Sequence, residues 1–547
     1  MTMMAEPTPR VGYIPFSLGD VLDESITPSK NVGLTIAQNL VYRRFGSYGK
    51  RCGSAPYGGG PSTGLAAPVQ SGFRWHRGVP SALAKMVVQS GDNLYSGNDG
   101  TGAMTFIGAL AGGSTPAFFC SAFDPAESGV GGTPASDILI VCYGSGPPMK
   151  WDGTNFTQLS PGITNHFTGC VYWHEHVWFW GDPNNPDTVF ATDLGNPESY
   201  TFSTTFGGYQ IARGDGDPMV QVCIPIGSFL YVFKQSSAQV ITGYDQNVGD
   251  YQFQLSPAID QGCSNGLGVQ VLNGQLIWWQ GQNVFTLTPG SQEPTPIGTP
   301  ITYTCAAVAN RSQAVIRSFA GDIMVQTIGA FEVYTNVFLL AVDGTGGGVA
   351  DTILMFDADA SQLRGKPAWT KLTGTFRVGA FIGWDIGNDI HALYIGDSSV
   401  NQVWQFGGHP TADVGANNVT QAAIPMVLQT GRSTGDNPDL IKRLNRAYMD
   451  VESNAAAFIV TCASDQNQSS TLGVAAAVGG TGGLWGQNWG AMIWGSSSGQ
   501  IYQSLEIAYA YSVVGYNFTF TISESSTSSA YEIVGLSYRA ISEGYRP

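Results

Sequence analysis

Charge is scarce in this chain. Lys, Arg, Asp and Glu make up 12% of its 547 residues, about half the usual share. A surface so poor in charge is either covered by partner subunits or built on Ser, Thr, Asn and Gln. What charge there is leans acidic, at a net −16. That balance argues against a protein that grips nucleic acid, because grip needs Lys and Arg to replace the counterions of phosphate. The eight cysteines, at 52, 120, 142, 170, 223, 263, 305 and 462, show no Cys-x-x-Cys and no metal-finger spacing. Several sit in strand-like runs such as Phe118-Phe119-Cys120 and Ile140-Val141-Cys142, where a free cysteine behaves as a small buried apolar residue. No GxxxxGK[ST] phosphate loop occurs. No apolar run approaches the roughly 18 residues of a membrane helix, and the first residues lack the charged and apolar regions of a secretion signal. The expectation is a soluble protein made in a reducing cytoplasm, with no membrane insertion.

Glycine, by contrast, is abundant: 72 residues, against a usual share of about 7%. It comes without a collagen period and beside 43% apolar residues, so it reads as many tight turns. The stretch from Val171 to Tyr200 shows what those turns connect. An aromatic, β-branched run from Val171 to Trp180 meets Gly181-Asp-Pro-Asn-Asn-Pro186. A short apolar run from Thr188 to Thr192 and another Gly/Asn/Pro turn follow. Aromatic and β-branched residues suit a pleated, half-buried surface, and Pro and Asn end strands by fixing φ or tolerating left-handed backbone.

Between residues 81 and 408 such strand-turn units recur about seven times at a spacing near 45 residues, close to the propeller-blade period. Examples are Phe229-Leu-Tyr-Val-Phe233 with Gln239-Val-Ile-Thr-Gly243, and Gln275-Leu-Ile-Trp-Trp279 with Asn283-Val-Phe-Thr-Leu287. The reading is an all-β protein: a β-propeller of about seven blades, whose small sheets bury their faces against one another. It is preceded by an irregular N-terminal region (1–80). A polar linker (409–425) and a C-terminal β-sandwich (426–547) follow. The sandwich strands alternate apolar and polar residues, as in Ala457-Phe-Ile-Val-Thr-Cys462 and Tyr516-Asn-Phe-Thr-Phe-Thr-Ile522. Leu440, Leu444, Ala447, Tyr448 and Val451 fit helical spacing better than alternation; the segment is nonetheless kept as a strand.

Residues 1–80 hold eight Lys and Arg against four acids, a net of +4 that leaves −20 on the remainder. A basic segment on an acidic body suggests docking, with self-solvation the alternative. The candidate partner contacts there are Arg43, Arg44, Lys50 and Arg51. In the sandwich, Trp485, Trp489 and Trp494, each followed by Gly, are candidates for a subunit interface or an aromatic plug, and less so for a sugar-stacking platform.

The constellations with catalytic or metal-binding form are weak. His174-Glu175-His176 would project two histidines to one face of a strand, but no third ligand is identifiable, so structural histidines are favoured. Gly495-Ser-Ser-Ser-Gly499 has the spelling of a nucleophile elbow without the strand-to-helix context, and reads as a turn. Lys150-Trp-Asp-Gly-Thr-Asn-Phe156 faintly resembles the Asp-box of sialidase propellers, itself a folding turn. Asp245 with Asp250, and Asp357 with Asp359, are carboxylate pairs whose separation in space would decide any glycosidase chemistry. No catalytic, metal or cofactor site is expected.

Taken in order, these segments resemble the tail nozzle, or tail tubular B-type, proteins of tailed bacteriophages. Ala37-x-Asn39, Gly46 and Lys50-Arg51-x-Gly53 look like the family's N-terminal A-x-N…G…R-P-G pattern, with Cys52 where the family has Pro. Leu230-Tyr-Val-Phe-Lys234 with Ile241-Thr-Gly243, Gly181-Asp-Pro-Asn184 with Asp193-Leu-Gly-Asn-Pro197, the Trp-Gly pairs and Ile533-Val-Gly-Leu-Ser-Tyr-Arg539 are similar to its propeller and sandwich. The resemblance implies a non-enzymatic virion protein, made in the bacterial host cytoplasm. It would form a homo-oligomeric, hexameric ring in contact with other tail or adaptor proteins, through which double-stranded DNA passes without sequence-specific binding. An acidic body suits such a conduit, since it repels phosphate. The alternatives are a propeller that binds a host-surface glycan or receptor and, less favoured, a propeller hydrolase.

Overall fold

A computed structural model describes residues 10–14, 34–43, 47–78, 83–113, 115–125, 136–199, 209–212, 217, 219–243, 251–253, 259–281, 283–291, 293–297, 316–327, 330–364, 367–386, 390–433, 440–453, 456–475, 501–529 and 531–545. Strands dominate; among these residues the one α-helix is Ala358–Arg364.

The chain is a β-propeller joined to a β-sandwich. Six four-stranded antiparallel sheets stand alone as blades. Blade 1 runs from Val69–Arg77 to Met104–Ala109, and blade 2 from Phe118–Asp124 to Phe156–Gln158. Blade 3 runs from Gly169–Trp173 to Tyr209–Ala212, blade 4 from Val220–Ile226 to Gln252–Phe253, and blade 5 from Val269–Leu272 to Thr295–Pro296. The closing blade holds Val378–Ile386, Ile390–Asp397, Val403–His409 and, from the far end of the chain, Gly53–Pro56. The expected count of about seven is therefore six free-standing blades. The remaining meander, Arg317–Thr327, Ala330–Val342, Thr352–Asp357 and Ala368–Thr373, is fused into a nine-stranded sheet.

Apolar clusters between neighbouring sheets hold the ring together. Trp75 and Val87 of blade 1 meet Leu139 and Trp151 of blade 2. Cys120 and Ile140 meet Cys170 and Phe179 of blade 3, and Trp180, Phe233 and Trp278 tie blades 3, 4 and 5. Trp279 of blade 5 meets Phe338 and Trp369 of the meander, whose Ile323 and Ile353 meet Leu393 and Trp404 of the closing blade. Ala380 and Ile382 then return to Val69 and Met86 of blade 1. The alternation of large residues along each strand supplies both faces of these contacts.

In the nine-stranded sheet the meander's last strand, Ala368–Thr373, pairs in parallel with Leu34–Gln38 through Gln38 and Lys371. The sheet then continues through Met426–Thr430, Phe518–Glu524, Ala457–Ser464 and Ser469–Ala475. The facing sheet is ordered Leu40–Tyr42, Tyr48–Lys50, Tyr531–Tyr545, Leu440–Ser453 and Ile501–Gly515, with Arg10–Ile14 also on Tyr531–Tyr545. Leu34, Leu40, Tyr48, Phe458, Phe520 and Leu536 fill the core between the two sheets.

Two expectations about organisation change. The described residues among 1–80 do not form one region: 34–42 and 48–50 complete the sandwich, 53–56 close the propeller, and the strand from Val69 begins blade 1. Residues 409–425 are no loose linker, since Ala412–Val414 and Gln421–Ala423 form a hairpin whose Asp413 is buried. The segment Leu440–Ser453 is a strand, as expected. Its helical look comes from a register shift between Leu444 and Arg446, an extra residue that moves the buried set from Lys442 and Leu444 to Ala447, Met449 and Val451.

Candidate functional site

A dense polar cluster lies where propeller and sandwich share backbone, and it is built from the N-terminal motif. Asn39 follows the strand Leu34–Gln38 with φ 56°, a left-handed conformation that Asn tolerates. Its Nδ2 donates to the carbonyl of Pro425 at 2.6 Å and to Thr373 Oγ1 at 3.0 Å. Its Oδ1 accepts from Thr373 N at 2.7 Å and from Arg51 Nε at 3.1 Å. Arg51 is 1% exposed. Its Nη1 and Nη2 fork onto the two oxygens of Asp413 at 3.0 and 2.7 Å, and also donate to the carbonyls of Cys52 at 2.9 Å and Thr373 at 2.7 Å. All five guanidinium donors are thereby used. Asp413 also accepts from Ser54 N at 2.9 Å and Ser54 Oγ at 3.1 Å. Burial raises the Asp413 pKa, but the charge and hydrogen bonds of Arg51 outweigh it and hold the carboxyl below its ordinary value.

Lys50 faces the sandwich side. Its Nζ lies 3.0 Å from Glu524 Oε2 and 2.8 Å from the carbonyl of Ser526, and both charged side chains are buried. Glu524 accepts in turn from Ser526 N and Ser529 Oγ, each at 2.7 Å. Arg43, half-buried, pairs with Glu332 and lies 5.6 Å over the Tyr334 ring. Gly53 is needed for contact: a Cβ there would stand 1.7 Å from the Ala412 carbonyl oxygen.

Lys50 and Arg51, expected at a partner interface, are thus inside the chain, and Arg43 reaches back onto the propeller meander. Arg51 and Arg43 brace propeller and sandwich within the chain, and Lys50 ties the two sandwich sheets. Arg44, Trp485, Trp489, Trp494 and the Gly495–Gly499 motif lie outside the described residues. Sequence reasoning missed Asp413, Glu524 and the pairing role of Asn39. The signal for Asp413 was local: an acid in the middle of Ala-Asp-Val, in a stretch otherwise rich in Gly and Asn.

The other constellations are structural. His174 and Glu175 are not on a strand. With φ of 50° and 62° they form the two-residue turn between Gly169–Trp173 and His176–Asp182, where Trp173 pairs with His176. His174 stacks on Trp173 at 4.0 Å, while His176 is fully buried with Nδ1 2.5 Å from the Thr192 carbonyl. Both rings pack on Tyr251, His174 at 6.1 Å and His176 at 5.5 Å. Asp152, in the Asp-box-like turn, accepts from Thr154 N at 2.7 Å and Asn155 N at 2.6 Å, a folding role as expected. Asp357 caps the helix by accepting from Ala360 N at 2.7 Å. Asp359 accepts from Thr335 and Asn336 at 2.7 and 2.8 Å. Asp245 and Asp250 lie outside the described residues. Among the described residues no group of three His, Cys, Asp or Glu is placed to hold a metal ion. Seven cysteines are free and buried, matching their expected packing role; Cys305 lies outside the described residues.

No family model and no curated protein matches the chain. Solved structures similar to it include the N-terminal domain of Nup159, at TM-score 0.38 and 12% identity over 68% of this chain and 98% of that one. BamB from Moraxella catarrhalis is similar at TM-score 0.34 and 12% identity over 68% and 94%. An ancestral GH74 enzyme is similar at TM-score 0.38 and 12% identity over 70% and 50%. Likenesses this distant carry no argument about function, which lives in sites grafted on folds.

Proposed function

We propose that this protein is a structural, non-enzymatic subunit of a bacteriophage tail, nozzle-like, six copies of which form a ring through which double-stranded DNA leaves the virion. One observation carries the reading: propeller and sandwich share a single nine-stranded sheet, clamped at the seam by the buried Arg51–Asp413 pair, while the buried Lys50–Glu524 pair ties the two sandwich sheets to each other. A subunit whose lobes cannot hinge freely suits a load-bearing ring. The motif residues behind the phage-tail resemblance, Asn39, Lys50, Arg51 and Gly53, are those that build this seam. Of the carboxylate pairs named from the sequence, Asp357 caps the helix and Asp359 is held by Thr335 and Asn336. The net charge of −16 suits a wall that DNA slides past, since like charge keeps phosphate at a distance.

The test is the mass of the native assembly, with negative-stain images. A six-fold ring with a central hole that retains no linear double-stranded DNA at physiological salt is the expected result. A monomer at virion-like protein concentration, or tight retention of DNA, overturns the proposal.

A further inference from the structure

The sandwich part of the nine-stranded sheet turns an uncharged face outward. Along Ser469–Ala475, Ala457–Ser464, Phe518–Glu524, Met426–Thr430 and, after one bulge, Leu34–Gln38, every second side chain is buried toward the core. The register sets the outward residues in rows across the strands. One row reads Thr471, Thr461, Thr521, Gln429 and Ile36; the next reads Gly473, Ile459, Ser523, Val427 and Gln38. Among the described outward positions of these five strands none is charged, and the first cation reached is Lys371, opposite Gln38 on the propeller side. The other outer face of the same sandwich presents Arg446, Asp450, Glu506 and Arg539, with Arg446 2.8 Å from Glu506. The low charge of the whole composition therefore does not account for the bare face. Polar groups on that face bond to one another. The hydroxyls of Thr461 and Thr471 lie 2.9 Å apart, Gln429 Nε2 donates to Thr521 Oγ1 at 3.1 Å, and Thr35 Oγ1 donates to Gln429 Oε1 at 3.1 Å. Drying such a surface strips little from groups that already have partners. Ile36, Val427 and Ile459, the last 54% exposed, gain from leaving water. Depletion of charge marks the core of a protein–protein contact.

Size and charge both fit coverage by a second copy. With about 4.8 Å between strands and about 3.3 Å per residue, the face spans roughly 450 Å² in projection. Two surfaces of that size lose about 900 Å² before any rim contact is added, close to the roughly 1,000 Å² at which specific interfaces begin. Copies that each carry a net charge of −16 repel one another, and their contact costs least where no carboxylate must be dried. We infer that this face is the surface on which a second copy of this chain packs. In a ring its mate is a different surface of the next copy, because a face that packed on itself would stop at a dimer. That placement rests on the proposed function; coverage by a copy does not.

The experiment is the mass of the full chain across a dilution series, for the unchanged protein, for Ile459→Lys and, on the charged face, for Ser504→Lys. Ile459→Lys should raise the concentration for half-assembly at least about tenfold, and Ser504→Lys should shift it less than about threefold. A thiol reporter reads the same face without adding charge. The seven described native cysteines are buried, so a new thiol on the surface stands out. Maleimide should label Thr461→Cys at least about tenfold more slowly in the assembly than in the diluted monomer, and Ser504→Cys at equal rates in both. A six-fold ring that Ile459→Lys leaves intact, and in which Thr461→Cys labels freely, gives the face to some other partner; it overturns the inference and spares the ring. An assembly of another symmetry that Ile459→Lys dissociates does the reverse. A chain that is monomeric throughout the series overturns both. Slow labelling that survives dilution to monomer means that the chain covers its own face, which also overturns the inference. If Ile459→Lys does not fold, the labelling rates decide.

Discussion

Removing the Asp413 carboxylate isolates the seam. In Asp413→Ala the Arg51 guanidinium stays where it is, since Asn39, Cys52 and Thr373 still hold three of its donors, but its charge is left without an anion at 0% side-chain exposure. Two effects compete in the intact pair: each ion loses several kcal/mol of hydration on burial, and their attraction returns a similar amount. The pair as a whole is thus worth little, while breaking it from one side costs about 3–5 kcal/mol. Ser54 N and Oγ also lose their acceptor, which adds to the same side. Asp413→Ala should therefore lower stability by at least about 3 kcal/mol. In the double variant Arg51→Met, Asp413→Leu the loss should fall short of the sum of the two single losses by about 1–3 kcal/mol, the coupling expected of contacting residues. The assay is urea unfolding of the full chain, read beside limited proteolysis of the 409–425 hairpin under native conditions, because a chain of this size need not unfold in one step. The pH dependence has a definite sign. With the folded Asp413 pKa depressed, the pair's contribution is complete above the ordinary carboxylate value of about 3.9 and disappears as pH falls through the lower folded value. Asp413→Asn should remove that acid-limb component. A loss below about 1 kcal/mol in Asp413→Ala, or strict additivity in the double variant, would refute the claim that the seam is clamped electrostatically.

Three further outcomes are expected. Lys50→Met leaves the Glu524 carboxylate buried without its cation and should cost about 3–5 kcal/mol, measured by the same urea series; a neutral effect would show that water reaches this end of the seam. Gly379→Ala puts a Cβ 1.9 Å from the Val69 carbonyl oxygen, where the closing blade meets blade 1, and should destabilise by about 1–3 kcal/mol; unchanged thermal unfolding would mean the ring closes more loosely than described. Thiol titration at neutral pH should leave seven of the eight cysteines unreacted until denaturant is added. All seven are buried, and burial pushes the Cys462 thiol up to about 12, so prompt reaction of two or more thiols in the native protein contradicts their placement.

The blades were legible because their signal is local. Runs such as Phe229–Lys234 and Gln275–Gln280 carry the aromatic and β-branched residues of a strand and follow the turns Gly227-Ser228 and Asn273-Gly274. What local pattern does not carry is pairing at long range. Gly53–Pro56 joins the closing blade opposite Trp404 and Gln405, some 350 residues away, and Leu34–Gln38 bridges meander and sandwich through one parallel pair. Nothing in either four- or five-residue run says which sheet it completes. Turn chemistry hid one boundary as well. Two-residue hairpin loops with both φ positive usually advertise themselves as Asn-Gly or Asp-Gly, and in blade 3 that loop is His174-Glu175, so a hairpin read as one long strand. At Leu444 and Arg446 a single register shift broke the period of two that would otherwise have marked the strand.

The misplacement of Lys50 and Arg51 has a different cause. Net charge over a window counts each cation as exposed, although a cation whose anion lies hundreds of residues away contributes nothing to the outer field once the two meet. Arg51 finds Asp413 at a separation of 362 residues and Lys50 finds Glu524 at 474. Each encounter cancels one positive charge of the N-terminal excess against one negative charge of the body, so the contrast between a basic head and an acidic body is partly an artefact of reading along the chain. The same cancellation shows what the Asn39, Lys50-Arg51-x-Gly53 pattern encodes. Arg is required because only its fork meets a carboxylate and two carbonyls together, and Gly because the Ala412 carbonyl leaves no room for a Cβ. A motif with those requirements specifies how two lobes of one chain are locked together. Contacts between subunits, on the proposed ring, must then be made by surfaces other than this cluster, and a variant that loosens the seam should disturb the fold of each subunit before it disturbs assembly.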